Sequence, residues 1–450
     1  MGNINILPIE CDSLYYLYDC MDRSLYPCSN KIYNQLSDKL KNSDIDINKI
    51  KQLSHYKGKG DDTLSLYKYP EVTQKMVLKS LSLTPQIVLE VTHNCNLSCT
   101  YCCYGKYYNI RKSITKTKVN IVECLETLID LRNKNEIKAD LHISFYGGEP
   151  LLRFDLISDC VKLVRKKLPD VNITFGMTTN GLLLSKHLDY LIENDFTLLI
   201  SIDGNRGNNI YRIKKDGTES FEQVRDNIDT IYKKYPSYFK SNVFFSTVLH
   251  NKNNYIDVMD FISRWKKTPI FSFIATSNAK DINNTFFREM TTLHTYSEAE
   301  LEYIRKEYPD AYRSFIPEYS CNITSLQMVD NNQVADLRKT IEGEKMYYPG
   351  NSCFLFASRV FVTNSGILYT CEKVPDKYKF GMIKDKKIII YTKRINKYYK
   401  SIINIFHNNC PACYKRRTCH KCFFAENEDV INKRCICDGV KALNDISKKL

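Results

Sequence analysis

The sequence predicts an α/β protein built on a parallel sheet, curled or open, followed by a cysteine-rich C-terminal region. Three observations carry this. From about residue 83, short apolar runs alternate with amphipathic helical patterns, the signature of repeated β–α units. The motifs able to carry chemistry each follow an apolar run, where functional residues collect in barrel-like α/β folds. The densest groups of the 18 cysteines stand after the first such run and near the C-terminus.

Taken in order, residues 1–82 read as a separate leading module. An alternating run, Ser13-Leu-Tyr-Tyr-Leu-Tyr18, precedes helical patterns at Lys31–Leu40 and Ile45–Leu53, and Lys57-Gly-Lys-Gly-Asp-Asp62 is a loop. Strands are expected at Ile87–Val91, Leu141–Phe145, Ile173–Met177, Thr197–Ile202, Val243–Leu249 and Ile270–Ala275. Helices are expected between them at Lys118–Leu131, Phe154–Lys167, Ser185–Glu193, Phe221–Lys233 and Tyr255–Lys266. The expected domains are 1–82, 83–300, a linker at 301–345, and 346–450.

Composition sets outer bounds. A chain of 450 residues has room for two or three domains, and 43% hydrophobic with 26% charged residues is ordinary globular composition. No stretch is long and apolar enough for a membrane span, and the N-terminus lacks the pattern of a signal peptide, so a cytoplasmic protein is expected. In that setting clustered cysteines read as metal ligands rather than disulfides. The formal charge of +14 points to nucleic acid or an acidic partner, but its lysines are spread along the chain. Thiolates committed to metal would lower the charge further.

The most informative motif is Cys95-Asn-Leu-Ser-Cys99-Thr-Tyr-Cys102, directly after the apolar run Ile87–Val91. Three soft ligands on one loop can hold three corners of an iron–sulfur cube and leave one iron for a ligand that is not protein. A zinc loop is the bland alternative, but structural zinc takes four protein ligands, and Cys103 stands awkwardly beside Cys102.

This spacing, with Tyr101 before the last cysteine, resembles the radical S-adenosylmethionine (SAM) superfamily. The resemblance implies a partial (β/α)6 TIM-like barrel and a [4Fe-4S] cluster on Cys95, Cys99 and Cys102 whose open iron binds SAM. It implies reductive cleavage of SAM to a 5′-deoxyadenosyl radical that takes a hydrogen atom from substrate. Tyr146-Gly147-Gly148-Glu149-Pro150 matches the family's glycine-rich motif, which contacts the SAM amino group. Thr178-Thr179-Asn180-Gly181 and Ser201-Ile-Asp203-Gly204 match later positions, Ser201 and Asp203 toward the SAM ribose. Arg212 resembles the arginine that pairs with the SAM carboxylate, for which a bidentate contact suits arginine. Taken alone, these glycine dipeptides are turns and Arg212 is a loop cation.

The second array, Cys410-Pro-Ala-Cys413-Tyr-Lys-Arg-Arg-Thr-Cys419-His-Lys-Cys422 with Cys435 and Cys437, resembles the SPASM extension of radical SAM enzymes. That resemblance implies two auxiliary clusters. Cys410, Cys413, Cys419 and one of Cys435 or Cys437 would hold one; Cys353, Cys371 and Cys422 would hold the other, with Cys321 the nearby candidate for a fourth ligand. The chain departs from the pattern in having two residues, not three, between Cys419 and Cys422. Glu372 stands where a proton acceptor is found in sulfatase-oxidising relatives, and a solvated carboxylate is the plain alternative.

Three functions follow. The first is a maturase of ribosomally made (RiPP) precursor peptides, forming cysteine thioethers. Cys102-Cys-Tyr-Gly-Lys-Tyr-Tyr108 resembles that group, and the leading module has the size of a winged-helix-like fold that captures a leader peptide by strand addition. Flavodoxin or ferredoxin would supply electrons. The second is an anaerobic sulfatase-maturing enzyme that makes formylglycine. The third, an RNA-binding protein, rests on the basic and aromatic run Tyr391–Lys400 and ranks last.

Overall fold

The computed structural model describes residues 6–11, 14–19, 25–41, 71–108, 119–275, 279–281, 283–308, 356, 358–374 and 376–409. Cys321, Cys353, Cys410, Cys413, Cys419, Cys422, Cys435 and Cys437 lie outside the described residues, as do the helical pattern at Ile45–Leu53 and the loop at Lys57–Asp62. The chain divides into two units: Met1–Glu71 with Pro309–Ser352 and Lys393–Leu450, and Val72–Tyr308 with Cys353–Thr392.

In the first unit, β1 (Ile6–Cys11), β2 (Leu14–Asp19) and β3 (Leu25–Cys28) form an antiparallel sheet in the order β1-β2-β3. Helix α1 (Asn30–Lys41) packs on it: Leu17 and Leu36 are buried, and the Tyr15 and Tyr33 rings lie 5.0 Å apart. The alternating run at Ser13–Tyr18 is therefore β2, and the helical pattern at Lys31–Leu40 is α1.

The second unit begins with α2 (Gln74–Leu83), whose Thr73 side chain caps its first turn. Its last turn is held by Arg132, which is buried and donates to the carbonyls of Ser82, Thr84 and Ala139 at 3.1, 2.8 and 2.8 Å. This anchoring goes with the place of α2 in the second unit, which begins at Val72. Six parallel strands follow: β4 (Gln86–Thr92), β5 (Leu141–Gly147), β6 (Ile173–Thr179), β7 (Thr197–Ser201), β8 (Val243–Leu249) and β9 (Ile270–Phe273). Between and after them run α3 (Ile121–Lys134), α4 (Phe154–Lys167), α5 (Leu184–Glu193), α6 (Phe221–Lys234), α7 (Pro236–Asn242), α8 (Tyr255–Ile262), α9 (Thr285–Thr291) and α10 (Glu298–Glu307). This is the six-stranded partial barrel expected. The expected helix Tyr255–Lys266 ends sooner, tightening into a 3₁₀ turn at Ser263–Trp265 closed by Lys266 at φ 53°.

The sheet continues beyond β4. Strand β10 (Val360–Val362) pairs with it in parallel, and β11 (Ile367–Tyr369), β12 (Gly381–Lys384) and β13 (Lys387–Ile390) extend it as an antiparallel meander. The segment carrying Cys371 is thus an extension of the barrel sheet. Helix α11 (Thr392–Asn409) ends the described chain. It carries the basic and aromatic run, but its Ile395, Tyr398 and Tyr399 are buried, which removes those tyrosines as a stacking platform for bases.

Side chains alternate across the sheet as strand geometry requires. Leu141, Ile143, Phe145, Leu198, Ile200, Val243 and Phe245 are buried on one face. The register places Ser144, Thr178, Ser201, Ser246 and Ser272 on the other face, where they are only half-buried. The same face also carries His142, Tyr146, Leu199, Phe244, Val248 and Ile270, and its C-terminal rim carries the motifs.

Candidate active site

The cysteine loop leaves β4 through an irregularity: pairing with β5 shifts register between Glu90 and Thr92. Opposite it stand Gly147, at φ 132°, and Gly148. A β-carbon on Gly147 would lie 2.1 Å from the Thr92 carbonyl oxygen, and one on Gly148 would lie 2.2 Å from that of Asn94. Gly148 N and Glu149 N donate to those same two oxygens, each at 2.8 Å. The glycine pair thus admits the chain's own backbone, seating the loop on the end of β5.

The loop's other side is a short antiparallel pairing. Leu97 bridges Lys214, Ser98 N donates to Ile213 O at 2.7 Å, and Thr100 N to Tyr211 O at 3.0 Å. An aromatic cluster of Tyr101, Tyr108, Tyr211 and Phe287, with Ile274 and Met290, packs against Cys99. Tyr108 is fixed by its hydroxyl, which donates to Ala275 O at 2.7 Å.

Cys95, Cys99 and Cys102 are all free and half-buried. Cys95 Sγ accepts from Leu97 N at 3.3 Å and from Asn180 Nδ2 at 3.5 Å. Burial pushes the Cys99 thiol up to about 12, while Arg212 acts in the opposite sense. The Cys102 thiol is raised by hydrogen bonding with Cys103 and by burial. Cys95 and Cys99 each feel the charge of Cys102, and Cys99 that of Cys95 as well. Among the described residues no three His, Cys, Asp or Glu side chains converge on a single metal ion. The donor set fits an iron–sulfur cluster, which takes each thiolate on a separate iron and needs N–H groups at its sulfurs.

Behind the loop, Glu149 is fully buried and committed. Its Oε1 accepts from Leu151 N at 3.1 Å and Thr179 Oγ1 at 2.8 Å, and its Oε2 from Asn180 N at 2.7 Å. Burial pushes this carboxyl up against those donors, which pull it down. Glu149 therefore ties the ends of β5 and β6 together. Asn180, which the carboxylate orients, reaches Asn96 Oδ1 at 2.7 Å as well as Cys95.

A second node joins Tyr101, Asp203 and Arg212. The Tyr101 hydroxyl donates to Asp203 Oδ2 and accepts from Arg212 Nη1 at 2.8 Å. Asp203 is fully buried, and its Oδ1 also accepts from Val248 N at 3.0 Å. His250 stacks on Tyr101, their centroids 6.0 Å apart. Its Nδ1 accepts from Lys252 N at 3.1 Å, which leaves the hydrogen on Nε2, 3.9 Å from Asp203 Oδ2. Ser201 is half-buried at the end of β7, and Tyr146, half-buried on β5, lies edge-on to Phe361 at 6.2 Å.

Sequence reasoning missed Glu90. It is fully buried in β4, accepting from Tyr104 OH at 2.6 Å and Asn364 N at 3.3 Å, with His93 Nε2 at 2.8 Å. It binds both flanks of the cysteine loop to the β10–β11 turn. An acid inside the apolar run Ile87–Val91 was the available signal.

Glu372 is not brought to this rim. The β10–β11 register sets Cys371 beside Arg359 at the start of β10, level with Gln86 at the start of β4. The cysteine loop leaves the far end of β4, roughly 20 Å away at about 3.3 Å per residue. Nor is Glu372 a solvated carboxylate: Arg359 Nη1 lies 3.4 Å from its Oε2, and the Cys371 thiol donates to it at 3.2 Å. Burial raises this carboxyl, but Arg359 and its hydrogen bonds outweigh burial and hold it below the usual range. Cys124 and Cys160 are buried core thiols.

Residues 89–264 match the Radical SAM superfamily. The chain is 29% identical to a cysteine-type anaerobic sulfatase-maturating enzyme of Clostridium novyi over 69% of its length and 78% of that protein. It is 22% identical to the radical SAM cyclopropyl synthase TigE of Paramaledivibacter caminithermalis, over 85% of this chain and 77% of that one. The structure of native anSMEcpe with bound AdoMet superimposes with a TM-score of 0.53 at 18% identity, covering 81% of this chain and 97% of the other.

Proposed function

The chain is a member of the Radical SAM superfamily, and from that premise we propose that it matures a ribosomally made precursor peptide, joining a substrate cysteine sulfur to a carbon as a thioether. The cofactors are SAM and [4Fe-4S] clusters, which when bound supply reductive SAM cleavage and abstraction of a substrate hydrogen atom. Cys95, Cys99 and Cys102 would hold the first cluster. Tyr146, Gly147, Gly148, Glu149, Thr179, Asn180, Ser201, Asp203 and Arg212 frame the adjoining SAM site, several of them by shaping the backbone. Auxiliary clusters on the C-terminal cysteines, a leader-bearing peptide and a flavodoxin or ferredoxin complete the proposal.

The observation that carries it is the half-open face of the barrel sheet. Ser144, Thr178, Ser201, Ser246 and Ser272 share it with Leu199, Phe244, Val248 and Ile270, a mix of polar groups and exposed apolar surface suited to an extended peptide. The N-terminal sheet adds support: among the described residues its edges are β1 and β3, and an edge strand takes a peptide by strand addition. The sulfatase-maturating relatives favour a second reading, conversion of a protein cysteine to formylglycine.

The test is anaerobic co-expression with a short peptide encoded beside the gene, followed by mass spectrometry. Loss of two hydrogens per event, with a cysteine that no longer alkylates, supports the thioether. An aldehyde that reacts with hydrazide supports formylglycine. An unchanged peptide, with SAM still cleaved, removes the peptide assignment.

A further inference from the structure

Glu90 stands where the β4–β5 pairing becomes irregular, the last paired residue before the register shifts. It is fully buried, and its two oxygens divide between the two ends of the cysteine loop. Oε2 meets His93 Nε2, two residues before Cys95, at 2.8 Å. Oε1 accepts from Tyr104 OH, two residues after Cys102, at 2.6 Å. The His93 and Tyr104 rings lie 5.6 Å apart, so the three side chains close a triangle across the base of the loop. A further contact comes from outside the loop, where Asn364 N donates to Oε2 at 3.3 Å. Asn364 belongs to the β10–β11 turn, which is itself fixed. Thr363 Oγ1 accepts from Ser365 N and Ile367 N at 3.3 and 3.0 Å, and Gly366 N donates to Thr363 O at 2.8 Å. On the β5 side, a β-carbon on Gly147 would lie 3.4 Å from Glu90 Cγ, so the glycine that admits the loop also borders this carboxylate.

We infer that Glu90 is the positioning residue of the cysteine loop: it fixes the separation of the loop's two ends, and makes the place of the three thiols depend on the β10–β11 turn of the sheet extension. Taking a carboxylate out of water is unfavourable, and an apolar residue would fit the apolar run Ile87–Val91 without that cost. What the carboxylate adds is direction, since it engages groups from three separate segments at once. Groups outside the ligand set orient metal ligands in this way without touching the metal. The inference rests on Cys95, Cys99 and Cys102 as the cluster ligands and is independent of which peptide chemistry the enzyme performs.

The first measurement is amide hydrogen exchange in the apo-protein, comparing wild type with Glu90→Gln and Tyr104→Phe. An amide at residue 90 must turn its NH₂ toward one of the groups the carboxylate now engages. Exchange in Glu90→Gln should quicken about tenfold, the equivalent of one buried hydrogen bond lost, at residues 93–104 and 360–367. Helix α2, which Glu90 does not hold, should keep its wild-type rate. Unchanged exchange in the loop or in the turn overturns the inference, as does equal quickening in α2, which marks a general loss of stability. Should Glu90→Gln fail to fold, Tyr104→Phe removes a single hydroxyl. It must quicken exchange at residues 99–108 and spare α2; a wild-type rate there overturns the inference.

The second measurement uses reduced, reconstituted holoenzyme and follows the electron paramagnetic resonance signal that changes on SAM addition while an iron chelator is present. Decay about tenfold faster in Glu90→Gln supports the inference, and decay at the wild-type rate overturns it. Cys95→Ala should abolish that signal. A signal that survives there overturns the ligand assignment instead, which the exchange measurement does not use.

Discussion

Asn180 donates its side-chain N–H to the Cys95 sulfur at 3.5 Å, so the end of β6 touches the first cysteine of the loop directly. Hydrogen bonds to cluster sulfurs raise the reduction potential, and groups that orient a metal ligand are worth about 10–100-fold in affinity or activity. Asn180→Ala is expected to lower the cluster potential and slow SAM cleavage about tenfold. Leu97 N still serves the sulfur, so iron content should remain near wild type. Iron analysis alongside a cleavage assay checks both.

Glu149→Gln tests the bracket beneath that contact. The carboxylate accepts three hydrogen bonds, and an amide must turn its NH₂ toward at least one of the donors. A cost of about 1–3 kcal/mol is expected from one buried donor left unpaired. Chemical denaturation of the apo-protein measures it without any contribution from cofactors.

The glycine pair gives a steric prediction. Gly148→Ala forces a β-carbon against the Asn94 carbonyl, where no flexible side chain can yield. The cysteine loop must shift, and SAM cleavage is expected to fall below detection. Gly217→Ala is the control: its φ is 84°, but nothing lies within 4 Å of its β-carbon. It should cost about 1 kcal/mol and leave cleavage intact. Thermal denaturation and the cleavage assay separate the two variants.

The sequence carried the cysteine loop and the order of the barrel strands because both are local signals, one of spacing and one of periodicity. Arg212 could be picked out, but not its register opposite Cys99, since that pairing joins segments more than a hundred residues apart. The glycine pair was legible as a place of close approach, yet what approaches is the exit of β4. Glu90 was hidden because one acid in a strand reads as its solvent face, whereas β10 and the cysteine-loop flanks bury it. Strands β10–β13 were missed because three or four residues give too short a period to read.

Glu300 provides a pH test far from the cofactors. It closes a capping box with Ser297 at the start of α10, also contacting His294. Hydrogen bonds from the Ser297 backbone and side chain, then from His294, hold its carboxyl at about 2. The folded value lies below the unfolded one, so its contribution is present above about pH 4.3 and is lost as pH falls toward 2. Glu300→Gln should therefore flatten the acid limb of the stability profile and change little at neutral pH if the capping geometry is kept. Denaturation midpoints across that window report it.

The most direct single measurement is isotope transfer. Anaerobically reconstituted and reduced enzyme is given SAM and a uniformly deuterated form of the peptide encoded beside its gene, and the 5′-deoxyadenosine is weighed. Deuterium in that product, absent when Cys95, Cys99 and Cys102 are replaced by alanine, is the expected result. Cleavage of SAM with no deuterium transferred would contradict the proposal that this enzyme abstracts hydrogen from a peptide.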